Sequence, residues 1–153
     1  MNTEIAQNYE MLLGMQVMRD QLLDVFTDAD LNYRLGGDTF SVGQLFHEFG
    51  DVEQSYTDSF KTLTQAFDYP TRTPAFHDTI AKLKAWFVTL DAEMKATLES
   101  VTGDEVVERG FPMPIGIQIM AYREAVLVIA SKMSVYLRAL QRPMPEQIKG
   151  WVD

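Results

Sequence analysis

The chain has 153 residues, enough to bury one sizeable core. Its 13 basic and 22 acidic residues give a net charge of −9, which argues against a broad basic surface for nucleic acid or anionic lipid. It contains no cysteine, which excludes disulfides, thiolate metal sites and a cysteine nucleophile.

Apolar residues recur with helical spacing in four segments, and the first two lie in the N-terminal half. The first segment covers about residues 3 to 27. The second has a clear start signal, because Ser41 and Gln44 have the spacing of a capping box. Phe40 and Leu45 flank that start as a hydrophobic staple. The second stripe extends to Phe67 and stops before a proline.

Two further stripes occupy the C-terminal half. The third helix is expected to follow Thr73 and Pro74 and to run from Phe76 to Val101. Residues 110–114 form an irregular linker with two prolines, and a fourth stripe then extends to Leu140. Trp151 in the tail is expected to pack back on the bundle. Four such stripes without a strand pattern predict one all-α four-helix bundle domain over residues 1–153.

The sequence also predicts a protein that stays in the cytoplasm. The N-terminus has no basic region followed by an apolar run, so we expect no signal peptide. The most apolar segment, residues 115–140, is interrupted by charged side chains and is expected to be a buried helix. Those charges are Arg123, Glu124, Lys132 and Arg138.

Three segments resemble the DinB-like superfamily in sequence, order and spacing. They are residues 30–37 (DLNYRLGG), residues 41–46 (SVGQLF) and residues 136–145 (YLRALQRPMP). The resemblance implies a bundle with up-down-down-up topology, which needs a crossover between helices two and three. Residues 68–75 reach at most ~28 Å, whereas a helix of the predicted length is ~35 Å long. Either the helices are shorter than predicted or the crossing is diagonal.

Many members of the family bind a divalent metal through one histidine on helix two and two on helix four. The resemblance places these ligand positions at Glu48, Ala125 and Ile129, with Asp51 at the family's following acidic position. The chain contains only two histidines, His47 and His77. A three-histidine metal site therefore cannot be formed, and we predict neither a metal nor another cofactor.

If a pocket remains where the family binds metal, we expect eight side chains to line it. They are Glu48, Asp51, Gln118, Tyr122, Ala125, Ile129, Lys132 and Tyr136. Simpler interpretations are favoured for several of these residues. Glu48 is expected to be a boundary glutamate paired with a neighbour, and both tyrosines are expected to belong to the core. His47 should lie on the solvated surface, and His77 should have a local or capping role.

Three functional hypotheses remain open. The first is a DinB-like protein without the histidine metal centre that binds an unidentified small molecule or a partner. The second is an enzyme of the DinB-like class, metal-dependent or resembling thiol transferases. Its site would be built around Glu48 instead of the family's histidines. The third is a purely structural homodimeric module. The resemblance also implies a homodimer, because members of the family often dimerise, and none of the three hypotheses involves nucleic acid or a membrane.

Overall fold

The computed structural model describes residues 1–66 and 79–152. Within these ranges the chain forms five helices, a short 3-10 turn at Asp28–Asp30 and a two-stranded hairpin. The elements are α1 (Thr3–Val25), α2 (Val42–Thr62), α3 (Ile80–Ser100), β1 (Val106–Glu108), β2 (Pro112–Pro114), α4 (Ile115–Ala139) and α5 (Glu146–Val152). The architecture is the predicted all-α bundle, and α1 to α4 enclose one continuous apolar core.

The start of α2 confirms the capping-box prediction. The Ser41 Oγ accepts a hydrogen bond from the Gln44 N–H at 3.2 Å, and the Gln44 Oε1 accepts one from the Ser41 N–H at 2.9 Å. Two amides that the helix leaves without partners are thereby satisfied. The signal in the sequence therefore located this helix end correctly.

Contacts between α1, α2 and α3 fix their relative directions. Phe26 meets Phe46 near one end of the bundle, while Arg19 pairs with Glu53 further along, so α1 and α2 are antiparallel. The aromatic ring of His47 lies near Trp86, and further along both helices Lys61 pairs with Glu93. Helices α2 and α3 are therefore parallel to one another.

Helix α4 runs against α2. The Lys132 ammonium near the end of α4 pairs with Glu48, close to the start of α2. Gln118 at the other end of α4 donates to Ser59, close to the end of α2. Together with the preceding directions, this gives the up-down-down-up topology that the resemblance implies.

Helix α2, which precedes the crossover, is shorter than predicted. Helix α2 ends at Thr62 rather than at residue 67, because Leu63 adopts a left-handed conformation with φ 55°. Its carbonyl then accepts a hydrogen bond from the amide of Glu108 in β1. Helix α3 begins at Ile80, and the expected start at residues 73–76 lies outside the described residues. The connection, residues 63–79, can reach up to ~60 Å, well beyond the ~32 Å length of α2.

The linker predicted to be irregular, residues 110–114, contains one strand of a short hairpin. Strand β1 pairs antiparallel with β2, and Val106 lies opposite Pro114. Gly110 turns the hairpin with φ 87°, a conformation that a side chain disfavours. Segments of three residues, one of them with two prolines, are too short to show a strand periodicity in the sequence.

The C-terminal tail packs on the bundle with Ile148 in the core, while Trp151 contacts the bundle only at its surface. Trp151 is 54% exposed, while Ile148 on α5 is buried in the core. The Arg123 guanidinium lies 5.0 Å from the centre of the Trp151 ring, so the indole covers a charged side chain on α4. No helix in the described part of the chain is both long and apolar enough to span a membrane.

Gly50 on α2 lies directly against the indole ring of Trp86 on α3. A Cβ atom at this position would lie 1.9 Å from the Cη2 atom of Trp86. We expect Gly50→Ala to lower the free energy of unfolding by about 1–3 kcal/mol, because overpacking outweighs the gain in helix propensity. Gly14→Ala in α1 is the matched control, since its Cβ would meet open space. There, urea unfolding should show a gain of about 1 kcal/mol. Equal effects at both positions would contradict the close approach.

Candidate functional site

Glu48 and Lys132 form an ion pair across α2 and α4. The Lys132 Nζ donates to both carboxylate oxygens of Glu48, at 2.9 Å and 3.1 Å. The Lys132 and Glu48 side chains are 44% and 30% exposed, so the pair lies at the margin between core and solvent. This arrangement matches the expectation of a boundary glutamate with a paired neighbour.

The side chains at the three positions assigned to metal ligands do not fit a three-histidine site. Ile129 is buried in the core and Ala125 packs against it, and neither side chain has a donor atom for a cation. The one potential ligand, Glu48, already binds the ammonium of Lys132 with both oxygens. Among the described residues, no group of three acidic or histidine side chains has a geometry suited to a metal.

An open groove of about 370 Å³ lies beside this ion pair. It lies between the segment that precedes α2 and the C-terminal half of α4, and both segments line it. Its walls are largely apolar, with polar atoms at a few positions. The lining residues are Leu35, Thr39, Phe40, Leu45, Lys132, Val135 and Tyr136.

A hydrogen bond fixes one wall of the groove. The Tyr136 hydroxyl donates to the carbonyl oxygen of Phe40 at 2.5 Å. The Tyr136 ring also meets Tyr33 edge-on, with ring centroids 6.2 Å apart. These contacts hold the segment before α2 against α4 and give the groove a preformed shape. Of the predicted pocket residues, the groove therefore brings together Lys132 and Tyr136, with Glu48 bound to Lys132.

Gln118 belongs to a different part of the bundle. It is buried, and its Nε2 donates to the Ser59 Oγ at 2.9 Å and to the Gln65 Oε1 at 2.7 Å. Its Oε1 accepts from Arg109 at 3.2 Å. This network joins α4 to the end of α2 and to the hairpin, at the opposite end of α4 from the groove.

Tyr122 joins a buried polar cluster that connects all four helices. Burial, together with the charge of Glu53, raises the pKa of Tyr122. The Arg19 guanidinium donates to Glu53 at 2.6 Å and to the two Asp91 carboxylate oxygens at 2.9 Å and 2.8 Å. We call Arg19, Glu53, Asp91 and Tyr122, one from each of α1 to α4, the four-helix cluster.

The four-helix cluster has unusual electrostatics. Burial alone would lower the pKa of Arg19. Its hydrogen bonds and the charges of its acidic neighbours raise the pKa by a larger amount, so this guanidinium stays charged. Burial raises the pKa of Glu53 to about 8; the Arg19 charge opposes this, and the nearby Asp91 carboxylate adds to it. Arg19 also stacks on the Phe87 ring at 4.2 Å. Through its hydrogen bonds to Glu53 and Asp91, Arg19 links α1 to α2 and α3.

Of the remaining candidates, Asp51 is half-buried on α2. His47 was expected on the solvated surface, and this prediction was wrong, since the residue is half-buried and its ring lies 5.5 Å from that of Trp86. The large indole covers a position that the apolar stripe of α2 alone leaves exposed. His77 lies outside the described residues.

The four-helix cluster was missed in the sequence, although a signal was present. Arg19 follows Met15 by four residues and precedes Leu22 by three, which is the spacing of core positions. Glu53 has the same relation to Phe49 and Tyr56. A charge of each sign at core spacing on two neighbouring helices indicates a buried ion pair.

Comparison with known proteins identifies the family. The profile of the DinB superfamily matches residues 13–131, which is most of the chain. A crystal structure of a DinB-like protein from Bacillus cereus ATCC 10987 superposes with a TM-score of 0.75 at 16% sequence identity. The match covers 92% of this chain and 95% of the other. No match was found among curated proteins.

The class of protein that the fold defines is therefore an all-α bundle of DinB-like topology. By the extent of the profile match, the chain belongs to the DinB superfamily.

Proposed function

We propose that this DinB-superfamily protein binds a small organic molecule without the family's histidine metal centre, in the groove beside Lys132 and Tyr136. The observation that carries the proposal is the groove itself, about 370 Å³ in volume. Small-molecule sites are commonly concave and mostly apolar, with a few fixed polar groups. The Glu48–Lys132 pair supports the loss of the metal, because an ammonium takes the oxygens that a cation would need.

The chemistry of the groove favours a ligand with an apolar body and an anionic end. Leu35, Phe40 and Val135 offer apolar walls. An ammonium has three N–H donors, and two of those on Lys132 point at Glu48. The third N–H of Lys132 can donate a hydrogen bond to a carboxylate or another acceptor of a ligand at the rim of the groove.

Octanoate is a suitable probe, with octanol as its uncharged counterpart. We expect octanoate to shift the NMR signals of backbone amides in residues 35–45 and 132–136. Lys132→Met should weaken octanoate binding roughly tenfold, as expected for loss of a charge-assisted hydrogen bond, and should leave octanol binding nearly unchanged.

Lys84→Met provides the matched control. Lys84 is about as exposed as Lys132 and also forms an ion pair, with Asp24 on α1, but it lies outside the groove. This variant should bind octanoate like the wild type. Shifts confined to other parts of the chain, or equal loss in both lysine variants, would contradict the proposed site.

The alternative of an enzyme with a recast site around Glu48 has less support. Glu48 is bound to Lys132, while Tyr122 is buried and feels the charge of Glu53 in the core. The described contacts thus place the two groups in different networks.

A further inference from the structure

A second groove, of about 350 Å³, lies between the hairpin and the N-terminal half of α4. It is separate from the groove beside Lys132, which lies along the C-terminal half of the same helix. Its walls include Phe111, Ile117 and Met120, which are 58%, 49% and 41% exposed. The lining also contains one cationic and one anionic side chain, Arg109 and Glu124.

Backbone hydrogen bonds fix the hairpin wall of this groove. The amide of Glu108 donates to the carbonyl of Leu63, and the amide of Gln65 donates to the carbonyl of Glu108, both at 2.9 Å. These bonds tie β1 to the end of α2, while β2 runs directly into α4. The wall that carries Arg109 and Phe111 is therefore held from both sides, and the groove has a preformed shape.

A buried amide orients the Arg109 guanidinium. One terminal nitrogen of Arg109 donates to the Gln118 Oε1 at 3.2 Å. Gln118 is fully buried, and its own amide donates to Ser59 and Gln65. A guanidinium has five N–H donors and stays charged, so it can bind a carboxylate alongside such partners. Arg109 thus places a positive charge at the hairpin end of the groove.

Glu124 places a negative charge further along α4. It follows Gln118, the partner of Arg109, by six residues, or about 9 Å along the helix axis. Ile117, Met120 and Glu124 are spaced by three and four residues, so they share one side of the helix. The groove therefore has a positive end, an apolar middle and a negative end.

We propose that this groove binds a short apolar peptide of about three residues with free termini, its carboxylate at Arg109 and its ammonium at Glu124. Charge complementarity at both ends identifies this ligand. Three extended residues reach about 10 Å, which matches the separation of the two charges along α4. The apolar side chains of the peptide pack on Phe111, Ile117 and Met120. A fatty acid has no ammonium for Glu124, and a single amino acid is too short to reach both charges.

The peptide Leu-Ala-Leu is a suitable probe, together with its C-amidated and N-acetylated forms. In NMR titrations of the full chain, the free peptide should shift backbone amides within residues 109–113 and 117–124. Amidation should weaken binding about tenfold, because it removes the charged acceptor at Arg109. Acetylation should weaken binding roughly threefold, a smaller effect because Glu124 is exposed.

Variants assign each end of the peptide to its partner. In Arg109→Met the amidated and free peptides should bind equally, and in Glu124→Gln the acetylated and free peptides should bind equally. Arg138→Met is the matched control, since Arg138 is an exposed arginine of the same helix outside this groove, and this variant should keep both effects. Circular dichroism checks that the helices persist, and the exposed position of Glu124 makes its variant safe for folding.

This site is independent of the groove beside Lys132, so Arg109→Met should leave octanoate binding unchanged. A wild type that binds the peptide but no octanoate would contradict only the proposed function. The inference about the peptide is overturned if Leu-Ala-Leu does not bind or shifts amides elsewhere in the chain. It is also overturned if blocking either terminus has the same effect in the wild type and in both groove variants.

Discussion

Replacing Arg19 by methionine should lower the free energy of unfolding by about 3–5 kcal/mol, because it leaves the Asp91 carboxylate without its cation and Glu53 without its hydrogen-bond donor. The guanidinium donates to Glu53 and Asp91 and stacks on Phe87. Methionine fills much of the same volume but leaves two buried or half-buried carboxyl groups facing each other. Urea unfolding at pH 7, followed by circular dichroism, measures the loss.

Lys84→Met removes a positive charge of the same kind from the surface. Lys84 pairs with Asp24, and both side chains are largely exposed. Exposed pairs contribute little, so the change should stay within about 1 kcal/mol. If Arg19→Met costs no more than this control, the four-helix cluster does not hold the bundle together.

The second large effect is a dependence of stability on pH that comes from Glu53. The pKa of Glu53 in the folded protein is raised to about 8 from an ordinary value near 4.5. Between these two values the folded protein keeps the proton while the unfolded chain releases it. The contribution of Glu53 is therefore complete at low pH and is lost as the pH rises through about 8. Between these two pKa values, Glu53 changes the free energy of unfolding by up to about −1.4 kcal/mol per pH unit.

Glu53→Gln isolates this contribution, because an amide mimics the protonated acid and does not titrate. The difference in unfolding free energy between the wild type and this variant should fall steadily between about pH 5 and pH 8. A difference that is flat or rises with pH would show that Glu53 is ionised in the folded protein.

Asp30 affects the stability of the fold in a different pH range. Burial alone would raise the pKa of Asp30, but hydrogen bonds from Thr27 and the charge of Arg142 lower the pKa by a larger amount. The contribution of Asp30 to stability is therefore lost only in acid.

The fold was largely predictable from the sequence because its signals are local. The capping box at Ser41 and the apolar stripes placed the helices, and the resemblance supplied the topology. Sequence patterns did not predict features that depend on contacts between segments far apart in the chain. Helix α2 ends early because the carbonyl of Leu63 pairs with Glu108, a residue 45 positions further along the chain.

The candidate site was predictable only in part. Counting from family motifs led to Glu48, and helical spacing added Lys132 and Tyr136. The same spacing grouped Tyr122 and Gln118 with them, although these two lie in separate buried networks. A helical face shows which side chains point in one direction, but partners on other helices decide which contacts they make.

We propose that the Glu48–Lys132 pair occupies the position of the family's metal centre. Metal analysis of protein purified without a histidine tag tests it most directly. We predict no divalent ion at stoichiometric level, and octanoate binding that a chelator leaves unchanged. A stoichiometric divalent ion whose removal abolishes binding or an activity would contradict the claim.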